Sequence, residues 1–191
     1  MKMVLLKSAC MGLLMIFVGC SSTPSEGDVK KGSQAGLTRD AKVALQELCA
    51  NVQVAKLLHP TVKAILIFPD VYRAGLIIGG QSGNGVAMTP DGHIVDYLNI
   101  TSASYGMQAG AQKYSYALFV MSDAAIEYIK KTRGWEVGTG PTVVLVDQGF
   151  ASMTTTTTLN KDIYAFIFNQ QGIMGAVGLI GSKITRINPE P

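Results

Sequence analysis

Hydrophobic positions along this chain fall into three textures. Residues 8–18 form an unbroken apolar run behind Lys2 and Lys7. That run is too short to span a bilayer as a helix, but it suits the apolar part of an export signal. From 38 to 59 the apolar residues come at roughly helical spacing. Val43, Leu45, Leu48 and Val52 make the stripe of a helix capped by Thr38. Asn51 is expected to cap a shorter helix that reaches His59 and stops at Pro60. From 63 onward, short apolar runs alternate with Gly, Asn and Asp, the texture of strands and turns.

The strand-like part divides at its turn signals. Runs at 63–68 and 74–80 come first, then Gly83-Asn84-Gly85 reads as a tight turn before 86–89. Pro90-Asp91-Gly92 reads as another turn before 93–98, with further strands at 102–109 and 113–121. One helix interrupts. Ser122 caps it, Asp123 suits its positive end, Ala125, Ile126 and Ile129 form its apolar side, and Gly134 stops it. Strands at 142–146, 150–157, 162–168 and 182–187 follow, with disorder as the alternative for the threonine run at 154–158. Glycines 172, 175, 178 and 181 recur every third residue, which fits a tightly packed core segment or one that touches acyl chains.

Closely spaced short strands favour antiparallel pairing. The expected fold class is therefore α+β. Two N-terminal helices and one inserted helix pack on a mainly antiparallel, strongly curved sheet, with a partly closed barrel as its variant. Glycines 75, 79, 80, 106 and 110 would permit that curvature.

The N-terminal run changes the reading of charge and cysteine. Small residues precede Cys20, and polar sequence follows it at once, so residues 1–19 read as a lipoprotein signal peptide cut before Cys20, with an ordinary secretory signal as the alternative. Cys20 then carries the lipid, and Ser21 behind it favours the outer membrane. Residues 20–36 have too little apolar content to fold and read as a flexible tether, leaving 37–191 as a single domain. The chain has 16 Lys and Arg against 13 Asp and Glu, and losing Lys2 and Lys7 leaves 14 against 13, a net charge of +1. That excludes a strongly basic nucleic-acid protein. Cys10 leaves with the signal and Cys20 is acylated, so Cys49 is a lone thiol among apolar neighbours, expected to be inert.

Catalytic patterns are missing from the sequence. His59 and His93 belong to no metal-binding spacing, and no nucleophile elbow, P-loop or dinucleotide fingerprint is present. The aspartates lie mostly at turns, although Asp96 and Asp147 sit nearer apolar strand sequence. What remains is a set of cations near glycine-rich turns, namely Lys63, Arg73, Lys113, Lys130, Lys131, Lys183 and Arg186. Some of these are candidates to hold a lipid phosphate.

Three segments in order carry a family resemblance. Lys63-Ala-Ile-Leu-Ile-Phe-Pro-Asp-Val71, Arg73-Ala-Gly-Leu-Ile-Ile-Gly-Gly80 and Gly83-Asn-Gly-Val86 resemble the opening of the SYLF domain. Ser104-Tyr-Gly-Met-Gln-Ala-Gly-Ala-Gln112 is similar to its middle, and Gly172-Ile-Met-Gly-Ala-Val-Gly-Leu-Ile-Gly-Ser182 to its closing glycine-rich segment. Residues 97–100 depart from the Trp- and Pro-containing pattern of that family. The resemblance implies a lipid-binding module without catalytic residues or cofactor, in bacteria typically a lipoprotein. The phosphoinositide binding of eukaryotic members is linked to an N-terminal amphipathic segment where this chain has a polar one, so the resemblance leaves it open, and their actin partner does not carry over to the expected envelope location. The expected function is thus an outer-membrane-anchored lipoprotein of the cell envelope, held to the membrane by Cys20, with a non-enzymatic phospholipid-binding domain. The alternative is a structural or protein-interaction module whose lipid serves only as anchor.

Overall fold

A computed structural model describes residues 32–132, 135–137, 139–146, 161–174 and 182–191; the signal, Cys20, Asp147, the strand expected at 150–157 and glycines 175, 178 and 181 lie outside them. The fold is α+β, three helices on a strongly curled half-barrel sheet. The elements are helices α1 (Gln34–Asn51) and α2 (Gln53–Leu58), strands β1 (Ala64–Met88) and β2 (Ile94–Val120), and helix α3 (Asp123–Lys131). Strands β3 (Trp135–Glu136), β4 (Val143–Val146), β5 (Ile163–Met174) and β6 (Lys183–Ile187) complete it.

Helix α1 starts earlier than its sequence pattern suggested. Ser33, not Thr38, is the cap, its hydroxyl accepting from the Gly36 N–H at 3.2 Å. Residues 34–36, placed in the tether by composition, are therefore helical. The buried stripe is Leu37, Ala41, Ala44 and Leu48, while Val43 is exposed. Alanine can line a close helix–sheet contact without adding to the hydrophobic contrast that marks a stripe in sequence. Asn51 caps nothing: it ends α1, its side-chain amide donating to the Glu47 carbonyl at 2.9 Å. Val52 alone is extended between the two helices. Ser122 does cap α3, accepting from the Ala125 N–H at 3.2 Å.

The strand region differs most from the pattern. The runs expected at 63–68, 74–80 and 86–89 fall largely on one strand, β1, paired with β2 along its length with register shifts at 68/71, 76/78 and 87/88. The two join at the 90–92 turn, where the Gly92 N–H donates to the Thr89 carbonyl at 2.9 Å. Gly83-Asn84-Gly85 is no turn. It lies inside β1 opposite Ile100, Asn99 and Leu98. Its glycines serve a close approach instead. A Cβ on Gly85 would stand 2.2 Å from the Ile67 carbonyl oxygen, and one on Gly83 would stand 2.6 Å from that of Asp70. The second half of β1 thus lies back over its first half, backbone against backbone.

The fold-back occurs at 76–78, where the register with β2 slips and Ile77 takes a left-handed φ of 70°. A Cβ on Gly75 would stand 2.6 Å from the Gly79 Cα, so this corner too is closed by glycine. Beyond β1, β2 pairs with β6 near one end and with β5 near the other.

The sheet is mixed rather than mainly antiparallel, because β4 runs parallel to β5. One side chain shows why. The Asp162 carboxylate accepts from the Thr142 N–H at 3.0 Å and hydroxyl at 2.8 Å, and from the Ser122 hydroxyl at 2.8 Å. It clamps the starts of β4 and β5 together, so both strands leave in one direction. Residues 147–162 are long enough for the crossover such a pair requires. Two apolar clusters result, one joining α1 and α2 to the sheet, the other joining α3 and Trp135 to it, and all their members fall within residues 37–184.

Two outcomes test this account. Gly85→Ala should cost about 3 kcal/mol or more in denaturant unfolding, since both obstructing groups are core backbone or buried ring. Asp162→Ala should destabilise the fold at neutral pH. The hydrogen bonds from Thr142, with that from Ser122, hold the Asp162 carboxyl below its usual pKa. Its contribution is present above the ordinary carboxylate range and disappears as pH falls through the lowered folded value, so thermal melts of variant and wild type should converge in acid.

Candidate functional site

A groove opens between α3, the turn end of the β1–β2 hairpin and β6, with a volume of about 440 Å³. That lies in the range of small-ligand sites, ~300–1,000 Å³. Its apolar wall has a local logic. Helix α3 turns Ile126 and Ile129 to the same side, since residues three apart are neighbours on a helix. Leu66 and Ala87 come from the two halves of β1, brought together only because the strand folds back. Trp135 closes the floor, 1 % exposed, its indole N–H donating to the Thr139 carbonyl at 3.2 Å.

Three predicted cations, Lys63, Lys130 and Arg186, stand on this groove. Lys63 follows the 3₁₀ turn at His59–Thr61 and is ion-paired with Asp123 at the start of α3. Arg186 projects from β6 and its Nε lies 3.1 Å from Asp96 on β2. Lys130, in the last turn of α3, has no ion pair among the described residues. The rim therefore sets three cations against two carboxylates.

The other four predicted cations are elsewhere, so the seven do not form one headgroup site. Lys131 is exposed and pairs with Glu127 at 3.4 Å. Lys113 pairs with Asp70 at 2.7 Å and sits over the Tyr72 ring. Lys183 is exposed beside Glu136, in a separate recess. Arg73 is only 6 % exposed, on the inner face of the sheet near Tyr114. Tyr114 donates to Gln81 at 2.7 Å, and the Gln81 amide donates to Ser182 at 2.9 Å. Burial pushes the Tyr114 hydroxyl up to about 12 against the pull of Arg73. Arg73 is thus buried close to this polar chain and away from the groove rim.

Sequence spacing could not have found the groove. Asp96, Trp135 and Arg186 converge through pairing of β2, β3 and β6, which are distant along the chain. Only the paired isoleucines of α3 gave a local sign. Neither histidine lines this groove. His59 packs edge-on toward Phe119, with ring centroids 6.3 Å apart, and exposed His93 pairs with Asp91 at 3.1 Å. Among the described residues, no three His, Cys, Asp or Glu side chains are grouped to hold a metal ion. Cys49 is partly buried, which pushes its thiol pKa up. Comparison of the chain with models of known families and with curated proteins finds no match.

The chain has one tryptophan, so the groove floor can be watched directly. Trp135 emission should be blue-shifted and poorly quenched by acrylamide in the folded protein. Trp135→Ala should cost ~3–5 kcal/mol in chemical unfolding, as expected for a buried aromatic removed from a core.

Proposed function

We propose that the chain is a lipoprotein of the SYLF type, anchored to the outer membrane through Cys20, whose domain binds phospholipid non-enzymatically in the groove under α3. The groove itself carries the reading. An apolar channel of about 440 Å³ ends in a rim with a cationic excess, the arrangement that an acyl chain and one phosphodiester require. Acyl methylenes gain roughly 0.8 kcal/mol each on leaving water. The rim contributes direction: Lys63 and Arg186 are each matched by a carboxylate, and Lys130 is the cation left for a phosphate. The ordered SYLF-like segments support the same reading. The first forms the start of β1, the second the fold-back, and the Gly83–Gly85 motif the backbone contact.

Both core clusters lie within residues 37–184, so the chain from Ser21 onward keeps the folded unit and lacks the acyl group. Purified in that form, it should retain phospholipid detectable by native mass spectrometry. Ile129→Asp should abolish retention by placing a carboxylate in the acyl channel. Lys130→Glu should weaken anionic lipids more than zwitterionic ones, with a difference that shrinks at high salt. A chain that retains no phospholipid of any headgroup, from cells or from mixed vesicles, would sink the proposal.

A further inference from the structure

The fold-back at 76–78 leaves three consecutive aliphatic side chains in water: Leu76 is 74 % exposed, Ile77 60 % and Ile78 69 %. Elsewhere among the described residues, exposed large apolar side chains occur singly or well separated along the chain. Ile77 is also in the left-handed backbone region, φ 70°. A β-branched residue is poorly suited to that conformation, and glycine or asparagine would relieve it. Its aliphatic character therefore contributes nothing to the local turn and little to the core. The surroundings are equally unusual. Residues 74–88 of β1 and 97–112 of β2, which pair across this corner, contain no charged side chain. Exposed sheet ends are ordinarily kept apart by charges.

We propose that the 76–78 corner inserts into the lipid surface beside which the domain is tethered, as a second contact independent of the lipid on Cys20. This rests on the membrane-tethered reading above. The place where the folded unit begins supports it. Gly32 lines the same surface recess as Tyr72, Ser82 and Gly83. Leu76 is four residues beyond Tyr72, at most about 13 Å along the strand. Cys20 is twelve residues before Gly32, so the covalent chain limits their separation to at most about 40 Å. The anchor point and the corner can therefore reach one bilayer surface together. Aliphatic side chains without neighbouring charge can enter the headgroup boundary, where a charged group would oppose insertion. The groove under α3 lies at the other end of the folded β1. Leu66 and Ala87 line it, respectively ten residues before Leu76 and nine after Ile78. Insertion of the corner leaves the groove facing away from the bilayer.

The test uses the chain from Ser21 with a polyhistidine tag in place of Cys20, held on phosphatidylcholine–phosphatidylglycerol vesicles by nickel-chelating lipid. In a Cys49→Ala background, a nitroxide is attached at Leu76→Cys, at Ile78→Cys, or at Leu57→Cys on the exposed side of α2. On vesicles, the labels at 76 and 78 should collide several-fold more with oxygen than with aqueous chromium oxalate, relative to the same protein free in solution. The label at 57 should not change. Labels at 76 and 78 that behave like the one at 57, or that change only when a protein fraction from the envelope is added, would overturn the inference. Because attachment does not use Cys20 and the readout does not use the groove, failure of this test is distinguishable from failure of either earlier reading.

Discussion

The contact between the two halves of β1 sets the geometry of everything else. Strand layers normally pack with side chains between them, about 10 Å apart. Here Gly83 and Gly85 remove the intervening atoms, so backbone meets backbone at Asp70 and Ile67. The strand can reverse over itself only if these positions lack a Cβ. Its partner β2 must follow the same path, because the two are paired from Ala64↔Val120 to Met88↔Ile94. A single hairpin therefore becomes a curled half-barrel, and strands β5 and β6 add to the free side of β2 at its two ends.

That reversal gives the domain two poles. At one, the strand ends open beneath α3, and a groove forms between residues that are far apart in sequence but close after the fold-back. At the other, the bend itself leaves aliphatic side chains with no core to enter. The interior between them is not purely apolar. Arg73, Gln81, Tyr114 and Ser182 are buried there, and the Tyr114–Gln81–Ser182 hydrogen bonds link β2, β1 and the start of β6. The hydrogen-bonded Tyr114, Gln81 and Ser182 side chains favour one register where glycine-rich strands would otherwise allow several.

The α+β class and helix α3 were legible because α3's cap and apolar spacing are local, whereas the expected caps Thr38 and Asn51 are not the ones α1 and α2 use. Ser122, with Asp123 and the isoleucines behind it, marks α3 within one turn. Legibility failed where glycine had two possible uses. Gly83-Asn84-Gly85 has the composition of a hairpin turn, yet its job is close approach to a segment thirteen to eighteen residues earlier. Only the fold supplies that neighbour. The same holds for the parallel pair β4–β5, fixed by the long-range clamp of Asp162 on Thr142. Cations were legible as a class, but their grouping was not. Lys63, Lys130 and Arg186 converge through sheet pairing, whereas Arg73 is taken inward by strand alternation next to Val71 and Tyr114.

The placement of these cations bears on the proposed function. If Cys20 carries lipid as proposed, the protein needs no groove to reach a membrane, and a groove used for anchoring would have to face the bilayer. On the proposed arrangement the exposed corner and the tether share one side, while the cationic rim lies up to about 30 Å away along the strand. A phospholipid entering that groove would have left the bilayer, at least in part. Anchor and ligand site then do different work: one keeps the domain at the surface, and the other holds a lipid clear of it. Such an arrangement suits presenting or passing on a lipid better than adhesion.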